Sequence, residues 1–194
     1  MNTTAAVNGT AAVEYSVPTP FQVQVYDPAR ILLAAFSGIA QTFLVPQWYC
    51  GLIMLLGIGL CSMISAVWAL VGSLVGCIVA MGLGVSPDDI YLGLHGYNSC
   101  LVGMALGGFF LVQRGCKINV VAVMGIIAAE VMTTATSSAF SPVGLPALTW
   151  PFTVITWLII LATAGLPDIV PVAISSLTTA EDHRKIKNKK LATI

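Results

Sequence analysis

Residues 64–83 read Ile-Ser-Ala-Val-Trp-Ala-Leu-Val-Gly-Ser-Leu-Val-Gly-Cys-Ile-Val-Ala-Met-Gly-Leu, without a single formal charge. A run of this kind matches the roughly 20 apolar residues that cross a bilayer as one helix. Gly72 and Gly76 stand one helical turn apart and make a small-residue seam on which another helix can close. Working outward, the only formal charges between Ile31 and Ala164 are Asp88, Asp89, Arg114, Lys117 and Glu130. The whole chain is 57% hydrophobic and 8% charged, where ordinary soluble domains carry about 25% charged residues. So few charges cannot cover a soluble surface. The chain reads as an all-α integral membrane protein with one membrane unit, and its zero net charge gives no reason to expect a nucleic-acid partner.

The punctuation of the chain predicts helices over about 29–45 (stopped by Pro46), 47–61, 64–83, 120–140 and 150–164. Trp48 and Tyr49 suit an interfacial anchor. Pro87-Asp88-Asp89 makes a polar turn able to cap a following helix. The segment Ile90–Val112 differs, because it holds Gly93, Gly96, Asn98, Gly103, Gly107 and Gly108. Each interior glycine costs about 1 kcal/mol of helix propensity, so a re-entrant loop followed by a pore helix is expected, with Arg114 and Lys117 marking its return to water. The expected architecture is five transmembrane helices plus this one re-entrant element. A polar tail (1–26) precedes the membrane unit (27–166), and a basic tail (167–194) follows it. The first tail has no basic n-region and does not read as a cleavable signal; it carries two glycosylation acceptors, at Asn2 and Asn8. The five cysteines show neither metal-ligand spacing nor a disulfide framework, and no cofactor is expected.

Two stretches carry the functional argument. In Gly144-Leu-Pro-Ala-Leu-Thr149-Trp-Pro-Phe152, Pro151 has no N–H for the carbonyl of Ala147, and Pro146 interrupts the ladder one turn earlier. The start of this helix therefore frees carbonyls around the Thr149 hydroxyl, or else is a proline kink repaired by neighbouring helices. In Gly93-Leu-His-Gly96-Tyr97-Asn98-Ser-Cys-Leu101, a helix starting near Tyr97 puts Tyr97 and Leu101 on one face. A flat aromatic beside an aliphatic side chain makes a narrow dry slot; core packing is the alternative.

These two stretches, in this order and about fifty residues apart, resemble the paired motifs of the urea transporters, G-L-x-G-[YF]-N-x-x-L and L-P-x-x-T-x-P-F. The resemblance covers roughly 27–166 and includes the Asp89-Ile-Tyr-Leu-Gly approach and the Gly-Gly-Phe-Phe after the first motif. It implies a half built of five transmembrane helices and a re-entrant pore helix, with two inverted halves around one pore and complete proteins assembled as trimers. It also implies that Thr149 is the pore threonine, that Tyr97 and Leu101 form the slot, and that Gln41 is a pore glutamine of the first helix. Asn98 belongs to the motif and is expected to serve the pore helix as much as the solute. Where the family often has phenylalanine, three residues after Gln41, this chain has Leu44, which thins one wall of the slot.

The chemistry of urea agrees with this reading. Urea is planar and uncharged, with four N–H donors and one carbonyl, so it needs acceptors at its edges and apolar surfaces on its faces. Thr149, Gln41 and free carbonyls supply the edges; Tyr97, Leu101 and Leu44 supply the faces. A hydrated ion would lose more solvation than a few neutral oxygens return. A passive, channel-like path for urea, with no chemistry on the substrate, is the expected function. The alternative is a proton- or ion-coupled transporter using Glu130 and His95, since an intramembrane carboxylate is a functional candidate by default. The bland expectation has Glu130 hydrogen-bonded to Thr133 or Thr134 and His95 packed or lining a mouth.

Only one copy of each motif is present, so a pore requires an opposite-orientation repeat. That repeat could be a second copy inserted the other way, a different chain resembling a first half, or a full-length partner of a chain that conducts nothing alone; a homo-oligomer of half-repeats is the expectation. Five spans place Arg114, Lys117 and the five tail cations on one face and Arg30 on the other. The positive-inside rule then puts the C-terminus in the cytoplasm and the N-terminus outside, in the plasma membrane, as in the second half of a complete family member.

Overall fold

The computed structural model describes residues 26–112, 116–166, 169 and 171–185. These residues are mostly helical and form no strand; Leu111 and Pro171 make an isolated bridge. Asn2, Asn8, Arg114 and the cations beyond Lys185 lie outside the described residues.

Helix α1 (Pro28–Gln41) starts where Asp27 accepts the Ala29 N–H at 2.9 Å and Pro28 fills the first turn. Helix α2 (Trp48–Cys61) and helix α3 (Met63–Gly82) are separated by Ser62 alone, whose hydroxyl accepts the Ser65 N–H. Helix α4 (Pro87–Tyr91) is one turn capped by Ser86. After the turn at 92–96 comes α5 (Tyr97–Met104), which widens into π-helical turns over Ala105–Phe109. Helices α6 (Cys116–Phe140) and α7 (Trp150–Thr163) follow. By length and composition α3 and α6 can each cross a bilayer. Helices α1, α2 and α7 have 14 residues each, about 21 Å of helix against a hydrocarbon core of about 30 Å. Unless tilted neighbours or extended chain cover them, the ends of such helices fall inside the apolar layer.

The centre is the α3–α5 seam. A Cβ on Gly72 would meet the Ser99 carbonyl oxygen at 2.5 Å, and one on Gly76 the His95 carbonyl oxygen at 2.7 Å. On the other side, Gly103 lies against the Trp68 carbonyl, Gly107 against the Trp68 ring, and Gly108 beside Ile64. These contacts run in opposite order along the two chains. The 92–109 segment is therefore antiparallel to α3 and reaches from the middle of α3 to its first turn, while α4 sits at the other end. Helix α6 closes the back of α5, where Val102, Leu106, Ile118, Ala122, Ile126 and Ala129 form the main apolar core.

The first and last described segments lie at opposite ends of α3. At its C-terminal end, the Tyr26 hydroxyl donates to the Val85 carbonyl (3.1 Å), and the Asp27 N–H to the Tyr91 hydroxyl (2.9 Å). There Arg30 also lies 4.1 Å from the centre of the Tyr91 ring. At its N-terminal end, Glu181 accepts from the Ile64 N–H (2.8 Å) and the Ser62 hydroxyl (2.6 Å), and His183 Nδ1 lies 3.2 Å from the Gly108 carbonyl. Burial works against the Glu181 charge, but the Ile64 N–H and Ser62 hydroxyl outweigh it and hold this carboxyl below its usual range. Within the segment expected as a basic tail, Ala180 and His183 are thus buried, while Arg184 and Lys185 are exposed.

The seam predicts that Gly76→Ala forces the α5 backbone away from α3, at about 1–3 kcal/mol. A clear drop in the thermal midpoint of the detergent-purified protein is expected. Gly57→Ala, where an added Cβ meets nothing within 4 Å, should be neutral or stabilising. Equal midpoints for the two variants would show that the seam tolerates a methyl group.

Candidate functional site

The site grows from two helix starts that face each other. Helix α5 begins at Tyr97, after a turn in which Gly93 takes a φ of +81° and packs against the backbone of Ser37 and Gly38. Helix α7 begins at Trp150, with Pro151 in its first turn and Leu148 in the left-handed region at a φ of +48°. A non-glycine residue held there costs about 1–3 kcal/mol, so the surroundings must enforce it. They do: the Leu148 carbonyl accepts from the Tyr97 hydroxyl at 2.6 Å and from Asn98 Nδ2 at 3.1 Å. The same Asn98 takes the Phe152 N–H on its Oδ1 at 3.3 Å. One buried amide thereby holds the last loop carbonyl and an early helix N–H, which no helical partner satisfies.

Thr149 stands beside this junction and is exposed. Its carbonyl accepts from the Thr153 N–H (3.1 Å) and hydroxyl (3.0 Å). The junction thus brings Tyr97, Asn98 and Thr149 together. Gln41, at the end of α1, donates its amide to the Leu92 carbonyl at 3.0 Å and so reaches the turn before α5. Leu101 lies one turn below Tyr97 and lines a groove of about 790 Å³ with Ile39, Thr42, Phe43, Met54 and Met104. Leu44 is exposed, past the end of α1, at a φ of +61°, and does not line that groove. Leu44 and Leu148 are the described non-glycine residues with positive φ, so backbone strain marks the chain just past α1 and just before α7.

Behind Tyr97 is a buried polar triad. His95 Nδ1 lies 2.6 Å from Glu130 Oε1, and the Ser99 hydroxyl 3.1 Å from Glu130 Oε2; all three residues are buried. Of the two threonines expected as partners of Glu130, Thr133 or Thr134, the Thr133 hydroxyl bonds back to the Ala129 carbonyl instead (2.7 Å). A helical hydroxyl reaches its own i−4 carbonyl more easily than a side chain one turn away. The triad ties the turn before α5 to α6 and thereby fixes the height at which α5 begins. Sequence reasoning missed this pairing, because His95 and Glu130 are 35 positions apart. The available signal was that His95 is the one histidine of 90–112 and Glu130 the one carboxylate of 116–140.

Asn98→Leu should leave the Phe152 N–H without its partner and the Leu148 carbonyl with the Tyr97 hydroxyl alone, at about 1–3 kcal/mol. Amide exchange at Phe152 should then speed up by roughly tenfold or more, while amides in the middle of α3 stay protected. Unchanged exchange at Phe152 would remove Asn98 from the junction.

The urea transporter family model matches residues 3–164. The chain is 33% identical over 155 residues to urea transporter 1 of Ovis aries, covering 80% of this chain and 40% of that protein. It is 32% identical over 155 residues to urea transporter 1 of Mus musculus, covering 79% and 40%. The chain thus spans about 40% of the length of the curated relatives that it matches.

Proposed function

Because the chain belongs to the urea transporter family and is on that ground an integral membrane protein, we propose that it supplies one half of a passive, channel-like path for urea. The observation that carries this reading is the junction of two helix starts through Asn98. It fixes Leu148, the residue before Thr149, to the Tyr97 hydroxyl at a break in the helical stack, with Gln41 bonded to the turn before α5. In the proposal, Thr149 and Gln41 exchange hydrogen bonds with the amide edges of urea, and Tyr97 and Leu101 cover its faces, while Leu44 stays outside the groove that holds Leu101. Asn98 shapes the slot from behind. The membrane repeat is 27–166; α3 and α6 cross fully, and α1, α2 and α7 are the shorter spans. The segment 90–112, broken before α5, carries the slot to mid-depth.

The second half comes from an opposite-orientation repeat, in our reading another copy of this chain on a two-fold axis in the membrane plane. The end that carries Lys117, Arg184 and Lys185 faces the cytoplasm of the plasma membrane, and Tyr26 faces outside. A second reading, transport coupled to protons, draws on the buried contact between His95 and Glu130.

Flux into proteoliposomes separates these readings. We expect urea uptake that rises linearly with concentration and ignores an imposed pH gradient; accumulation against a urea gradient driven by protons would favour the coupled transporter. Thr149→Val keeps the shape but removes one hydrogen bond, worth about 1–3 kcal/mol in a dry site, so flux should fall roughly tenfold. Wild-type flux from well-inserted Thr149→Val would take Thr149 out of the path. No flux from the chain alone, restored by a complete transporter, would make it an associating subunit.

A further inference from the structure

A second cavity, apart from the slot, opens at the basic end of the molecule. It holds about 510 Å³ between the first turns of α3 and α6 and the C-terminal segment. Its walls are Ile64, Val67 and Trp68 of α3 and Cys116 of α6, and its rim is Asn119 and Arg184. The walls suit a hydrocarbon chain and the rim suits an anion. Arg184 is exposed and, among the described residues, bridges to no carboxylate; its neighbour Lys185 pairs with Asp182 at 3.2 Å. Asp182, the nearest acid along the chain, is the one that Lys185 holds, and Glu181 is engaged by the Ile64 N–H and the Ser62 hydroxyl. The sequence adds Lys117 in the first turn of α6, and Arg114, Lys187, Lys189 and Lys190 close by along the chain.

We propose that this cavity binds one anionic phospholipid, with an acyl chain against Ile64, Val67 and Trp68 and its phosphate on Arg184 and Asn119. The occupant follows from charge and from place. An apolar cleft between membrane helices that opens under a guanidinium at the interface offers both halves of an anionic lipid a partner. A zwitterionic lipid fits the walls equally well but carries an ammonium toward a cationic rim. The bound lipid would bridge α3, α6 and the C-terminal segment, and would strengthen the contact that Glu181 makes with the start of α3.

The chain has four tryptophans, and Trp68 is the buried one; Trp48, Trp150 and Trp157 are exposed. A variant with those three changed to Phe reports on this cavity through Trp68 fluorescence. In nanodiscs, phosphatidylglycerol brominated on its acyl chains should quench Trp68 at about fivefold lower mole fraction than brominated phosphatidylcholine. Arg184→Gln should erase that difference without changing the quenching by phosphatidylcholine. Native mass spectrometry of the unsubstituted protein offers a check that does not depend on the tryptophan changes: one phosphatidylglycerol should be retained, and lost in Arg184→Gln. Equal quenching by the two lipids, or a preference that survives Arg184→Gln, overturns the proposal. Displacement of the preference by millimolar inorganic phosphate alone would also overturn it, because the rim would then be an anion site without a lipid.

Discussion

Hydrocarbon offers no hydrogen bonds, so each backbone break at membrane depth must find its partners within the protein. This constraint organises the molecule around Asn98. The breaks before α5 and α7 expose carbonyls and N–H groups that a continuous helix would have satisfied, and one buried amide joins the two breaks. The Tyr97 hydroxyl adds a second grip on the Leu148 carbonyl. Without these bonds a left-handed Leu148 has nothing to hold it, and the loop before Trp150 would lose its fixed place beside α5. Thr149, the residue after Leu148, is exposed next to this junction.

The junction in turn rests on close backbone approach. Glycines at 72 and 76 on α3 and at 103 and 107 on the returning segment bring α5 within reach of α3 along much of its length. Gly38 and Gly96 do the same between α1 and the turn before α5. The His95–Glu130–Ser99 contact fixes that turn to α6. The polar elements of the site are therefore held by small residues in front and by a buried acid behind, with no long loop needed.

Much of this was legible in the sequence, for local reasons. The 64–83 run, the Pro46 stop and the Trp150 start gave helix bounds within a few residues, because apolar length and proline act over single turns. The glycines and Asn98 of 90–112 marked an interrupted element, and α5 begins at Tyr97 as expected. Long-range partner choice was not legible. Nothing local says that Glu130 reaches back to His95, that Gln41 bonds the Leu92 carbonyl, or that Glu181 caps the first turn of α3. These pairings depend on which helices lie side by side, and the apolar pattern constrains that only weakly. The separation of Leu44 from the groove that holds Leu101 was hidden for the same reason.

The central claim is that urea passes the junction of the two helix starts. Thiol modification at that point tests it most directly. With the native cysteines replaced and Thr149→Cys introduced, a small water-soluble thiosulfonate should modify the new thiol in a membrane where the protein conducts. Modification should block urea flux, and excess urea in the bath should slow the reaction. Full modification that leaves urea flux unchanged would contradict the account.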